Sequence, residues 1–149
     1  MIAYLDSSVL VRSYLDDEDG HAEAVALLNN PDVKHVTGKW TRIEVSGALT
    51  RAARSGRSDS DEKDLLTMLD VDLGAKGRVT EITVPQADAE QKALSLVREH
   101  ALRALDAWHL AVASLTVPAL AAPEQEEIGF ASRDDDQAAI AAELGFTRV

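Results

Sequence analysis

Residues 1–12 read MIAYLDSSVLVR, and the way this stretch divides decides the fold. Residues 1–5 are apolar enough for a short buried strand. A helix starts at about Ser7, with Val9, Leu10 and Tyr14 on its inner face. A buried strand that passes straight into a helix is the first half of a βα unit. Between the two stands a carboxylate, Asp6, followed by the hydroxyls of Ser7 and Ser8.

The same alternation runs along the rest of the chain. DDEDG breaks the first helix, and HAEAVALLNN carries a second that ends at 29–31. VKHVTG (33–38) reads as a strand. TRIEVSGALTRAAR (41–54) is a helix with Ile43, Val45, Leu49, Ala52 and Ala53 spaced for burial, stopped by Gly56. SDSDEKDLLTMLDVDL (58–73) opens with hydroxyls and acids, as helix N-termini do, and continues as an amphipathic helix. RVTEITV (78–84) is a strand closed by Pro85, and residues 86–100 are helical. LDAWHLAVASL (105–115) is apolar almost all round, which predicts a helix buried on most faces. TVPALAAPEQEE (116–127), with two prolines and an acidic end, reads as a loop. IGFAS (128–132) is a strand, 134–145 a helix stopped by Gly145, and FTRV a last short strand. Strands alternating with helices, and no hairpin signal, predict an α/β fold with a parallel sheet covered on both faces. In such sheets sites form at the carboxyl ends of the strands, near the point where strand order switches.

The 149 residues suit one domain, 1–149, with a single sizeable core. Hydrophobic residues make up 46%, the composition of a soluble globular chain. The apolar runs read as too short for a bilayer and no basic segment precedes the first, so no membrane association is expected. The absence of cysteine removes disulfides, thiolate nucleophiles and Cys-ligated zinc, and fits a cytoplasmic setting. His21, His35, His100 and His109 lack metal-ligand spacing. A net charge of −11 should repel a polyanion at long range, unless the acids gather round Mg²⁺ or Mn²⁺.

Four acids are placed where such gathering is possible. Asp6 ends the first strand and Asp134 follows IGFAS. Glu44 lies between Ile43 and Val45, read as the first turn of its helix. Asp106 lies between Leu105 and Ala107 at the start of the most apolar helix. Each has a plain structural reading, because an acid at a helix start caps it or complements its dipole. Taken jointly, the four converge on one end of a parallel sheet, where they would repel one another unless a divalent cation resolved the repulsion.

MIAYLDSSVLVR, TRIEVSGALTRAAR, LRALDAWHLAVA and GFASRDDDQAAIAAELGF together resemble the four sequence blocks of the PIN domain, in its VapC toxin branch, in order and over nearly the whole chain. The resemblance implies a Rossmann-like three-layer α/β/α sandwich and a metal-dependent ribonuclease leaving a 5′-phosphate and a 3′-hydroxyl. It maps the four family acids onto Asp6, Glu44, Asp106 and Asp134. Asp6, Asp106 and Asp134 would ligate Mg²⁺, with Mn²⁺ able to substitute, as one ion or two. Glu44 would ligate through water or accept the proton of the nucleophile. Ser132 stands two residues before the fourth acid, Asp136 competes with Asp134 for that position, and Ser7 is a further supporting hydroxyl. The segment 116–127 is longer and more acidic than the family's usual connection.

RNA needs cations. Arg12, Arg51 and Arg54, with Arg42 and Arg57, concentrate positive charge round the Glu44 helix, where they serve either backbone phosphates or merely a solvated face. Arg51, seven residues after Glu44, shares its helix face. The resemblance further implies transfer or ribosomal RNA as substrate, a VapB-type antitoxin as partner, and a homodimer within a toxin–antitoxin assembly. Two other readings are a non-catalytic acidic α/β interaction module and a different metal-dependent phosphohydrolase. For a haloacid-dehalogenase-type phosphatase, Ser8 stands where a second Asp is needed.

Overall fold

The computed structural model describes residues 1–58 and 60–149; Asp59, in the hydroxyl-and-acid lead-in to the fourth helix, lies outside them. The order along the chain is β1 (Ile2–Leu5), α1 (Ser7–Tyr14), α2 (His21–Leu28), β2 (Lys34–Gly38), α3 (Lys39–Arg54), α4 (Glu62–Asp72), β3 (Val79–Ile82), α5 (Gln86–His100), α6 (Ala104–Ala121), β4 (Ile128–Ala131), α7 (Asp135–Glu143) and β5 (Thr147–Arg148). The strands form one parallel sheet in the order β3-β2-β1-β4-β5. The order reverses at β1, so the crevice between the carboxyl ends of β1 and β4 is the switch point. Asp6 follows one of these strands and Asp134 comes shortly after the other.

Successive strand residues point to opposite faces, and the core divides accordingly. Ile2, Tyr4, Val36 and Phe130 join α5, α6 and α7 in one cluster. Leu5, Val79 and Ala131 join α1 to α4 in the other. The result is the predicted α/β/α sandwich.

Three expectations are corrected. Residues 116–121 are not loop: α6 continues through Pro118 to Ala121, and a short 3₁₀ turn follows at Ala122–Glu124. Proline removes a backbone donor, but Val117 and Ala121 are buried, and their packing outweighs the missing bond. The extension makes Ala104–Glu124 long and apolar enough to cross a membrane by length and composition, contrary to the expectation of short runs. Ala107, Leu110, Ala111, Val112 and Ala113 of this helix pack into the core, while Leu105, Leu115 and Leu120 are exposed, so it is buried on fewer faces than its apolarity predicts. Finally, α3 starts at Lys39 and has no acid in its first turn, so Glu44 lies in the second turn, where a dipole or capping role is largely lost.

Candidate active site

Asp6 is buried, and its Oδ2 caps α1 by accepting the backbone N–H (3.1 Å) and hydroxyl (2.6 Å) of Ser8. The backbone N–H of Asp6 donates to Ala131 O, and Ser8 Oγ accepts the N–H of Arg133. The tips of β1 and β4 are thereby tied together. Ser8 is the hydroxyl that orients Asp6, while Ser7 lines a cleft beside Glu44, Arg51, Leu105 and Arg133.

Asp134 is also a cap, accepting the N–H of Gln137 at Oδ1 (3.0 Å). Its own N–H donates to Ser132 Oγ, whose hydroxyl donates to Gln137 Oε1. Gln137, fully buried, turns its amide N–H to the main-chain oxygen of Asp106 (3.1 Å). This side chain, which sequence reading passed over, locks the start of α7 to the first turn of α6. Asp135 pairs with Arg148. Asp136 shares a second hollow with Asp106, Asp134, Arg103 and His100. Both hollows have the segments 103–106 and 133–136 as walls.

Asp106 does not cap: the N-cap of α6 is Arg103, which makes no side-chain cap bond. Among the described residues the Asp106 carboxylate accepts no hydrogen bond. Burial foremost, then the charges of Asp6 and Asp134, push its pKa up, with Arg103 and His109 opposing. Asp106 lies in the first turn of α6, where the helix dipole returns about 0.3–1 kcal/mol, but it gains no capping bond to set against burial and the repulsion of two other acids.

Glu44 is brought to the same edge by a residue that the sequence hid. His109, almost fully buried in α6, donates from Nε2 to Glu44 Oε2 (2.6 Å) and faces Asp6 Oδ1 at 3.4 Å. Because carboxylates only accept, Nε2 carries the proton. At Nδ1 it meets the Tyr4 hydroxyl (2.9 Å). Burial is the largest influence on His109 and lowers its pKa, but the hydrogen bond to Glu44 and the charges of Asp6, Glu44 and Asp106 outweigh it, and the net shift is upward. A periodicity argument sees only a His in an apolar helix; its contacts are with residues 65 and 105 positions away.

The donors are all carboxylate oxygens, the set that hard divalent cations take, and the charges of Asp6 and Asp134 act together on Asp106. Among the described residues, however, no three Asp, Glu or His side chains already close into a ligand cage. Asp6 and Asp134 each give an oxygen to capping. The donor set fits a cation by its chemistry, and ligation requires these side chains to draw in.

Most of the arginines round α3 are engaged. Arg54 forks onto Glu62 (2.9 and 3.0 Å), Arg42 reaches Glu81 and Asp70, and Arg57 holds Asp17 and Glu18. Arg133 also pairs with Glu18. Arg12 lies against Gly20 at the α1–α2 turn. Arg51 lines the cleft beside Glu44, as its spacing predicts, and among the described residues it forms no ion pair.

A doubly wound parallel sheet with Asp6 and Asp134 beside its switch point defines a Rossmann-like α/β domain. The family model of the PIN domain matches residues 3–143, and the chain belongs to that family. Among solved structures it is similar to VapC20 of Mycobacterium tuberculosis, described as a sarcin-ricin loop cleaving toxin. Identity is 20%, covering 99% of this chain and 98% of that one, with a TM-score of 0.63. No curated protein sequence matches the chain.

Proposed function

We propose that this chain is a metal-dependent endoribonuclease of the VapC toxin kind. The observation that carries the proposal is Asp106, an uncapped and partly buried acid whose ionisation is opposed by Asp6 and Asp134. Membership of the PIN family supports it. Asp6, Asp106 and Asp134 would hold Mg²⁺ or Mn²⁺. Bound there, the cation supplies positive charge to orient and neutralise the scissile phosphate and to acidify a water.

The chain's own groups do the rest. Glu44, oriented by His109, takes the proton of the attacking water. The water oxygen bonds to phosphorus and the bond to the 3′ oxygen breaks; that oxygen takes a proton from solvent water and leaves as a hydroxyl, while the phosphate stays on the 5′ oxygen of the next nucleotide. Ser8 and Ser132 hold Asp6 and Asp134 in place. Arg51, beside Glu44, and Arg103, beside Asp106, are set to meet backbone phosphates. On this reading the substrate is structured RNA, as the sarcin-ricin loop is for VapC20, in a cytoplasmic setting. The partner is a VapB-type antitoxin with a basic tail, suited to a chain of charge −11. Exposed Trp40 and Leu105, with Ile43, which is exposed rather than buried as its spacing predicts, offer apolar surface for that partner or for a second copy.

The test is cleavage of total RNA by the purified chain with Mn²⁺ and with EDTA, beside Asp106→Asn. Metal-dependent cleavage lost in the variant is expected. Cleavage that ignores EDTA, or a fully active Asp106→Asn, overturns the reading.

A further inference from the structure

Behind His109 runs a buried polar series that reaches the acids from inside the core. It begins at Gly38, the last residue of β2, whose N–H donates to the Tyr4 hydroxyl (3.1 Å). Tyr4, in β1, is wholly buried. Its ring lies parallel to that of Phe130 with centroids 5.5 Å apart, and edge-on to His109 at 5.9 Å. Its oxygen meets His109 Nδ1, and His109 Nε2 donates to Glu44. Four elements, β2, β1, α6 and α3, contribute one member each.

We propose that Gly38, Tyr4 and His109 form a positioning relay that fixes the Glu44 carboxylate, and Asp6 beside it, for the phosphodiester reaction. The inference rests on the ribonuclease reading and adds residues to it that touch neither RNA nor cation.

Three observations carry it. The Tyr4 ring is wholly buried against Phe130 and His109, and its hydroxyl against the Gly38 backbone. His109 is one of the few polar side chains in the core, and a buried imidazole in an apolar helix is costly unless both nitrogens are satisfied. Here both are, and one of the partners is a candidate catalytic acid. Glu44 lies in the second turn of α3 with its side chain about one-fifth exposed, so without His109 nothing in its own helix would hold it at the cleft. A hydrogen bond behind a metal-binding or catalytic side chain sets its orientation.

The test uses Tyr4→Phe, which deletes one hydroxyl and keeps the stacked ring, and the pair His109→Gln and His109→Leu. Folding is checked by thermal melting, Mn²⁺ affinity by calorimetry, and kcat and KM by cleavage of an RNA substrate at saturating Mn²⁺. Tyr4→Phe and His109→Leu are expected to lower kcat by about ten- to a hundredfold and to weaken Mn²⁺ binding, the usual effect of losing such a bond. KM for RNA should stay within about twofold, because no RNA contact is removed. His109→Gln, which keeps an N–H donor for Glu44, should retain more activity than His109→Leu. A folded Tyr4→Phe with the kcat and Mn²⁺ affinity of the wild type overturns the relay while leaving the ribonuclease reading intact. Equal losses in His109→Gln and His109→Leu reduce His109 to a core filler and overturn it too. A wild-type chain that cleaves no RNA overturns both.

Discussion

Replacing Gly38 by Ala should lower stability through one named clash. A Cβ at Gly38 would stand 2.8 Å from the Tyr4 hydroxyl oxygen and 3.4 Å from Val112 Cγ1. The backbone is not the obstacle, since Gly38 has φ −84° and ψ 161°, which any residue adopts. Alanine there would by itself gain about 0.4–1 kcal/mol by restricting the unfolded chain. Against this, Tyr4 cannot retreat from Phe130 and His109, so overpacking costs about 1–3 kcal/mol. Displacing the hydroxyl from Gly38 N–H and His109 costs about a further 1 kcal/mol. The net is about 2 kcal/mol, or about 4–8 °C in Tm for a chain of this length. Urea and thermal melts would measure it, first in the wild type and then in a Tyr4→Phe background. Phenylalanine has no oxygen for the new methyl to strike, so Gly38→Ala should cost far less there, giving a coupling well above the scatter of independent sites. Equal costs in the two backgrounds would refute the steric argument, as would an unperturbed single variant.

Mn²⁺ at a hundred times its Kd should stabilise the chain by about 2.7 kcal/mol, or about 5–10 °C in Tm; identical melting curves with Mn²⁺ and with EDTA would count against the site. Asp106→Asn removes a charge that Asp6 and Asp134 oppose, so metal-free stability should hold or rise by scanning calorimetry while Mn²⁺ binding is lost. His35 is buried at the start of β2, and burial first of all lowers its pKa from 6.5, with Arg78 adding to the fall and the backbone at Leu27 and Arg78 opposing. The unfolded chain therefore takes up a proton that the fold resists, so this contribution is intact above about pH 6.5 and is lost as pH falls through and below it. Urea melts across pH 5–8 should show that slope reduced in His35→Gln. Arg51→Ala should weaken RNA binding and flatten its salt dependence by about one phosphate contact, with Mn²⁺ affinity unchanged; an unaltered slope would make Arg51 ordinary surface.

The sequence by itself determined the layering and the places of the acids. Strand periods and helix periods are local, and an Asp at the tip of a buried β1 lies at the carboxyl edge of a parallel sheet whatever the strand order. Asp6 and Asp134 follow strands and lie at that edge for that reason, Asp106 is read from its place at the start of the apolar helix, and the shared face of Glu44 and Arg51 needs only the pitch of α3. What needed the tertiary structure was everything depending on distant segments. The order 3-2-1-4-5, which makes the tips of β1 and β4 neighbours, follows from crossovers that no local period encodes. Pro118 stays helical because Val117 and Ala121 reach a core built by the rest of the chain. Arg42, Arg54 and Arg57 are only local positive charges in the sequence, and their pairing with Glu81, Glu62 and Asp17 comes from segments the fold brings alongside. His109 is the plainest case. In the sequence it is a polar interruption of an apolar helix, and its meaning comes from Tyr4 and Glu44, brought to its two nitrogens only when sheet and helices pack.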